Sequence, residues 1–182
     1  MILNIPIMLT YLRILAIPLM VVLFYLDYPL TTAIVFALAG FTDWADGYLA
    51  RRWGQESRFG AFLDPVADKL MVAVALILIV ESQANAWVTI AAAIIVSREL
   101  LISALREWMA EVGQRSKVAV AFTGKLKTAA QIMSLTFLLY DKPLWGIPLH
   151  EIGLALLAIA TILTVWSMMQ YLADAFRNEP TS

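Results

Sequence analysis

The sequence has no cysteine, one histidine and few charged residues, and each shortage excludes a class of protein. Without cysteine there is no disulfide framework, and no thiol can serve as a nucleophile or a metal ligand. Charged residues are 15 % of the 182, compared with about 25 % in soluble domains. The net charge of −1 gives no broadly basic surface, so we expect no nucleic-acid partner.

Apolar residues make up 62 % of the chain, which indicates a lipid bilayer as its solvent. A membrane helix needs about 20 mostly apolar residues. Six segments meet this requirement, at roughly 5–26, 30–52, 62–81, 86–109, 119–140 and 147–172. The sequence therefore predicts an all-α integral membrane protein, a single domain over residues 1–182 with six transmembrane helices. We expect residues 2–12 to lie along the membrane interface.

The basic residues predict the orientation of these helices. Of the 13 lysines and arginines, only Lys142 lies in a turn on the side away from the termini. Positive residues accumulate on the cytoplasmic face of a membrane, so we expect both termini to be cytoplasmic. The N-terminal segment lacks a basic start and a small-residue cleavage site, so we do not expect it to be a cleavable signal.

Four aspartates interrupt the apolar pattern around the second and third segments. Asp43 and Asp46 are three residues apart, and Asp64 and Asp68 are four apart, so each pair shares one helix face. The connection between the two segments is short, which makes the helices antiparallel neighbours and brings the four carboxylates together. Oxygen donors without cysteine or nearby histidine suit Mg²⁺ or Mn²⁺ rather than Zn²⁺. The pattern predicts a metal site where two ions can clamp a phosphoryl group.

Small and basic residues beside the aspartates favour a phosphate-bearing ligand. Gly47 and Ala50 leave the helix surface bare near the carboxylates, and Arg51 offers a bidentate fork for phosphate. Gly60 stands one turn before Asp64. Two other interpretations stay open. Any single aspartate can be a helix cap or an ion-pair partner, and the glycines can be packing contacts between membrane helices.

The whole stretch has a single spacing pattern, which reads Asp43-x₂-Asp46-Gly47-x₂-Ala50-Arg51-x₈-Gly60-x₃-Asp64-x₃-Asp68. This pattern resembles the signature of the CDP-alcohol phosphatidyltransferase family at every defined position and spacing. Further stretches, at 4–13, 59–69, 97–108 and 124–128, resemble the bacterial branch of that family that makes phosphatidylglycerophosphate. The resemblance therefore extends over the whole chain.

The resemblance implies a six-helix membrane enzyme, generally a homodimer, with its active site open to the cytoplasm. Its donor would be CDP-diacylglycerol, its acceptor an alcohol and its by-product CMP. The implied metal ligands are Asp43, Asp46, Asp64 and Asp68. Of these, Asp68 would be a ligand or neighbour of the second metal and also the general base. The implied contacts with the CDP moiety are Gly47, Ala50, Arg51 and Gly60.

A cluster of cations in the fourth and fifth segments indicates what kind of acceptor the protein binds. Arg98 and Arg106 lie two turns apart on overlapping faces, and Lys125 and Lys127 open the next helix. A plain alcohol does not need such cations, whereas an acceptor that already carries phosphate does. We therefore expect these four residues to bind the phosphate of glycerol 3-phosphate.

Other charged residues near this cluster have simpler interpretations. For Arg115 and Lys117 we favour contact with anionic lipid headgroups. The depth of Arg98 in its segment requires a polar interior. Arg13 is similarly deep, and it either faces the interior or extends to the interface. We interpret Glu99 as a structural partner of neighbouring cations.

Three other functions fit part of the pattern. A different acceptor within the same family, as in cardiolipin or phosphatidylinositol-phosphate synthesis, would keep the aspartates and change the basic cluster. A membrane prenyltransferase also holds a Mg²⁺-diphosphate between aspartates, but we expect it to need more spans and a longer chain. A divalent-cation transporter would use the aspartates as its pathway, whereas here they gather at one membrane end.

Overall fold

The computed structural model describes the backbone of residues 5–53, 58–111 and 122–177, and the side chains of 8–42, 62–105, 107–108 and 126–171. Within these ranges the chain forms six helices and no strand. They are α1 (Ile5–Tyr25), α2 (Pro29–Trp53), α3 (Arg58–Gln83), α4 (Ala86–Glu111), α5 (Phe122–Tyr140) and α6 (Leu149–Arg177). The prediction of an all-helical chain is confirmed.

Two helix ends lie several residues beyond the predicted ones. The third helix begins at Arg58 rather than at 62, and the sixth continues to Arg177 rather than to 172. Hydropathy marks the apolar stretch that lipid can surround, whereas a helix continues as long as its backbone hydrogen bonds are made. The predicted start of the fifth segment, at 119, lies outside the described residues.

Three short connections join the helices at one end of the bundle, which we call the turn end (residues 26–28, 84–85 and 141–148). α1, α3 and α5 are each followed by a left-handed residue, at Asp27 (φ 59°), Ala84 (φ 45°) and Asp141 (φ 52°). After α1, the Tyr28 N–H donates to the Leu23 carbonyl at 3.0 Å in a Schellman motif. Asn85 caps α4, since its Oδ1 accepts from the Trp87 N–H at 2.9 Å. The caps define three antiparallel hairpins, α1–α2, α3–α4 and α5–α6.

The hairpins pack so that α5 lies at the centre of the helix contacts. It packs most extensively against α6 and also contacts α2 and α3, while α1 packs on α2 and α3, and α4 on α3 and α6. In the described part of the chain, α4 and α5 do not pack directly on each other. The α5–α6 contact is close because Gly153 has no side chain, and a Cβ there would lie 2.9 Å from Leu138 Cγ.

The outer surface is the surface of a membrane protein. Three stretches of the described chain are long and apolar enough to cross a bilayer, at Met8–Tyr25, Ala86–Leu105 and Leu149–Tyr171, and Pro29–Thr42 is a shorter apolar stretch. Large apolar side chains point outward, and Leu15, Ile77 and Ile162 are each more than 60 % exposed. Contiguous apolar surface of this kind marks contact with lipid or a partner.

The interior changes character along the bundle. Toward the turn end it is apolar, and its buried side chains include Met20, Phe36, Leu76, Ile95 and Leu138. Toward the opposite end, which we call the polar end, the buried side chains include Thr10, Arg13, Arg98, Lys127 and Ser167. Charges inside a membrane protein are costly unless they are paired or face a polar cavity, so they mark candidate functional sites.

Candidate functional site at the polar end of the bundle

All twelve predicted site residues lie in the helix portions next to the polar end. Four of them have described side chains: Asp64, Asp68, Arg98 and Lys127. For the other eight the structure describes only the helical backbone, in α2 (Asp43, Asp46, Gly47, Ala50 and Arg51), α3 (Gly60), α4 (Arg106) and α5 (Lys125). Arg115 and Lys117 lie outside the described residues.

Asp64 is held by a side chain that the sequence pattern did not single out. Thr10 is almost fully buried on α1, and its Oγ1 donates a hydrogen bond to Asp64 Oδ1 on α3, 54 residues along the chain. One turn later on α1, Arg13 is 0 % exposed, so it faces the interior and does not extend to the interface. Asp68 follows one turn after Asp64 on the same face, and both carboxylates are half-buried.

A second group of charges joins α4, α5 and α6 around Glu99. Its Oε1 accepts from Arg98 Nη1 at 3.1 Å and also from Lys127 Nζ on α5. Arg98 Nη2 donates to Ser167 Oγ on α6 at 3.0 Å. The guanidinium also lies 5.8 Å from the centre of the Tyr171 ring, within reach of a cation–π interaction. We call Arg98, Glu99 and Lys127 the ion triad.

Glu99 thus pairs with neighbouring cations, as the sequence suggested. Both partners, Arg98 and Lys127, are residues that the sequence predicts to bind the phosphate of the acceptor substrate. The requirement that Arg98 face a polar interior is also met, since only 9 % of it is exposed. Lys127 is buried as well, at 5 %. Sequence spacing pairs Arg98 with Arg106 on one helix, but it gives no sign that Glu99 would bridge to the following helix.

The aspartates and the ion triad are electrostatic neighbours. The charge of Asp68 acts on Lys127, in addition to the attraction of Glu99 and the repulsion of Arg98. A carboxylate pair on α3 and a cation pair on α4 and α5 therefore share one region of the polar end.

The donor atoms available at the polar end suit a hard cation. Among the described side chains, no group of three histidine, aspartate or glutamate residues gathers as a metal site. Asp64 and Asp68 offer carboxylate oxygens on one face of α3, and the other two predicted ligands lie on α2, where side chains are not described. His150, the one histidine, lies at the turn end. A set made only of oxygen donors fits Mg²⁺ or Mn²⁺.

Residues 3–166 match the family model of the CDP-alcohol phosphatidyltransferases. The chain belongs to this family. A curated relative from Salmonella choleraesuis (strain SC-B67) is 52 % identical over 175 residues, which cover 94 % of each chain. Relatives from Shigella flexneri and Escherichia coli (strain K12) are 51 % identical with the same coverage. All three carry the name CDP-diacylglycerol–glycerol-3-phosphate 3-phosphatidyltransferase.

The match to the family model confirms the family resemblance that we drew from the spacing of residues 43–68. In this CDP-alcohol phosphatidyltransferase, the signature occupies the ends of α2 and α3 that meet the polar end. The ion triad lies outside the signature, on α4 and α5. The polar end thus combines the part that defines the family with a separate group of cations.

Proposed function

We propose that this chain transfers the phosphatidyl group of CDP-diacylglycerol to glycerol 3-phosphate, which gives phosphatidylglycerophosphate and CMP. Relatives of about half-identical sequence over nearly the full length are named for this reaction. The observation that carries the proposal in the structure is the burial of two cations, Arg98 and Lys127, toward the polar end of the bundle. A plain alcohol as acceptor does not need two buried cations, whereas an acceptor that already carries phosphate does.

The acceptor lies, in this proposal, between the ion triad and Asp68. Arg98 and Lys127, with Arg106 and Lys125, bind its phosphate. Its free hydroxyl then points toward the carboxylate of Asp68, which accepts the proton as general base. The charge of Asp68 acts on Lys127, though less than the charges of Glu99 and Arg98 do, and this supports the placement, since a three-carbon alcohol has to reach both groups.

The donor lies against α2 and the start of α3. Gly47, Ala50 and Gly60 leave room for the CDP moiety, and Arg51 pairs with its phosphate. The acceptor oxygen forms a bond to the phosphorus that carries diacylglycerol, and the bond from that phosphorus to the oxygen of CMP breaks. The displacement is direct, because the acceptor hydroxyl itself is the nucleophile.

The aspartates hold divalent metal in this proposal. Asp43, Asp46 and Asp64 are ligands, and Asp68 is a ligand or neighbour of a second ion. Two Mg²⁺ or Mn²⁺ ions would neutralise the charge that grows on the departing CMP. Thr10 fixes the orientation of Asp64 through its hydrogen bond.

The proposed setting is a bacterial inner membrane, crossed six times, with both termini and the polar end in the cytoplasm. Each helix has at least 19 residues, or about 28 Å at 1.5 Å per residue, close to a bilayer core of about 30 Å. The chain has no cysteine, so single introduced cysteines report cleanly on topology. A Lys142→Cys variant should react with an impermeant maleimide from outside intact cells, and a Ser182→Cys variant should not.

Homodimer formation stays a prediction, which chemical cross-linking in native membranes tests.

The decisive experiment is acceptor-dependent release of CMP by the purified protein in mixed micelles with CDP-diacylglycerol and Mg²⁺. Glycerol 3-phosphate is compared with phosphatidylglycerol, inositol phosphate and serine. We expect CMP only with glycerol 3-phosphate, and no CMP after chelation until Mg²⁺ or Mn²⁺ is restored. Release with another acceptor would keep the family chemistry and overturn the acceptor assignment. Absence of CMP with every acceptor tested would overturn the proposed reaction.

A further inference from the structure

Glu99 connects two helices whose backbones do not come close to each other in the described part of the chain. α4 and α5 make no direct packing contact there, yet Lys127 on α5 reaches Glu99 on α4. The same oxygen, Oε1, accepts from Arg98. One carboxylate oxygen therefore holds the two cations together across the two helices.

The two cations need such a partner because both are buried. Arg98 and Lys127 repel each other, and little water reaches either side chain to screen the repulsion. Glu99 lies between them, and its side chain is 26 % exposed, the most open member of the triad. The accessible side of the triad is therefore the side of the shared carboxylate.

The triad keeps hydrogen-bonding capacity for another anion. Arg98 uses Nη1 on Glu99 and Nη2 on Ser167, while its buried Nε has no hydrogen-bond partner among the described residues. A lysine ammonium has three N–H donors. An unpaired buried donor is costly, and a ligand oxygen that accepts from it removes that cost.

We propose that Glu99 is a positioning residue for the acceptor: it holds Arg98 and Lys127 at a spacing that one phosphate group can bridge. The proposal rests on the proposed function. The opposite role is that Glu99 merely occupies the place of the phosphate and competes with it. The two roles predict opposite changes in affinity when Glu99 is altered.

The test measures steady-state KM for glycerol 3-phosphate and for CDP-diacylglycerol in the Glu99→Gln and Glu99→Ala variants. Loss of a hydrogen-bonded charge pair should raise the glycerol 3-phosphate KM of Glu99→Ala about tenfold to a hundredfold. Glu99→Gln keeps an acceptor oxygen of the same shape, so its KM should rise less. The KM for CDP-diacylglycerol should change less than about twofold in both, since the donor contacts lie on α2 and α3.

Three further measurements separate positioning from general damage. Glu107→Ala removes an exposed glutamate from the same helix and should leave both KM values unchanged. In a Lys127→Met background, Glu99→Gln should change the glycerol 3-phosphate KM by less than about twofold, because one of the two groups that it positions is gone. Inorganic phosphate should raise the unfolding temperature of the wild type more than that of Glu99→Gln, whichever acceptor the enzyme uses.

The outcomes are distinct. If the wild type releases no CMP with glycerol 3-phosphate, the proposed function fails, and the phosphate-binding measurement still tests Glu99. If Glu99→Gln binds glycerol 3-phosphate and inorganic phosphate as tightly as the wild type or more tightly, the positioning role is overturned. An equal rise in both KM values would also overturn it, because that pattern indicates a general structural effect. Should Glu99→Ala fail to fold, Glu99→Gln alone carries the comparison.

Discussion

The two ends of this six-helix bundle differ in the side chains that fill their interior. At the turn end, the interior is filled by apolar side chains, and the connections are short and capped. At the polar end, the interior holds Arg13, Arg98 and Lys127, whose charges need partners inside the protein. We therefore expect the turn end to contribute packing and the polar end to contribute the chemistry.

This division can be tested with matched pairs of substitutions. In three functional pairs, one substitution is made at the polar end and the same substitution is made at the turn end, and a fourth pair tests packing away from the polar end. If the division is correct, the first member of each functional pair changes catalysis and the second does not. The four pairs below run from the largest expected effect to the smallest.

The aspartate pair is Asp68→Asn and Asp141→Asn. Loss of the general base should lower kcat by about 10²- to 10⁴-fold, measured as CMP release, while the protein keeps its elution profile and melting temperature. Asp141 lies at the turn end in a left-handed conformation that asparagine tolerates, so its variant should turn over normally. Turnover of Asp68→Asn near the wild-type rate would remove Asp68 from the mechanism.

The lysine pair is Lys127→Met and Lys142→Met. Loss of the buried ammonium should raise the KM for glycerol 3-phosphate about tenfold to a hundredfold, because a charged hydrogen bond to phosphate is lost. Lys142 is exposed at the turn end, and its variant should match the wild type. A larger change in the KM for CDP-diacylglycerol than for glycerol 3-phosphate would place Lys127 on the donor side instead.

The threonine pair is Thr10→Val and Thr32→Val, two buried positions with the same change in shape. Thr10 orients Asp64, so its variant should need about tenfold more Mg²⁺ for half-maximal activity and should bind Mn²⁺ more weakly in an electron paramagnetic resonance titration. Thr32 donates only locally, to the Tyr28 carbonyl at 2.9 Å, and its variant should keep the metal requirement. Thr10→Ser should restore the wild-type response. Equal metal responses in all three variants would show that Thr10 does not support the metal site.

The glycine pair is Gly153→Ala and Gly40→Ala, and it addresses stability rather than catalysis. A methyl group at Gly153 meets Leu138 at 2.9 Å and should cost about 1–3 kcal/mol, seen as a lower unfolding temperature in micelles. At Gly40 the added atom lies 3.5 Å from Ile132, an ordinary contact, so little change is expected. Activity per folded molecule should stay constant in both. A loss of kcat in Gly153→Ala without a loss of stability would contradict the division between the ends.

The sequence predicted the helices better than it predicted their contacts. Apolar length and turn residues locate α1 to α6, because both signals are local. The signature spacing likewise places Asp64 and Asp68 on one face, since that relation lies within a single helix. The Thr10–Asp64 bond depends instead on how α1 and α3 are rotated against each other, and no local pattern contains that rotation.

Glu99 illustrates the same limit at the candidate site. From the sequence, Arg98 and Lys127 are long cationic side chains in apolar segments, and both are expected to bind phosphate. That they meet through one carboxylate oxygen follows from the neighbours of α4 and α5 in the bundle. The sequence indicated that Glu99 pairs with neighbouring cations, and the structure adds that it joins Arg98 to Lys127 on the following helix.

The three capped hairpins have a consequence for biogenesis. Each hairpin carries only part of the polar end: Thr10 comes from the first, Asp64, Asp68, Arg98 and Glu99 from the second, and Lys127 and Ser167 from the third. A nascent chain that has inserted two hairpins therefore still lacks Lys127, the second partner of Glu99, and Ser167, a partner of Arg98. The ion triad is therefore completed only when the third hairpin inserts, close to the end of synthesis.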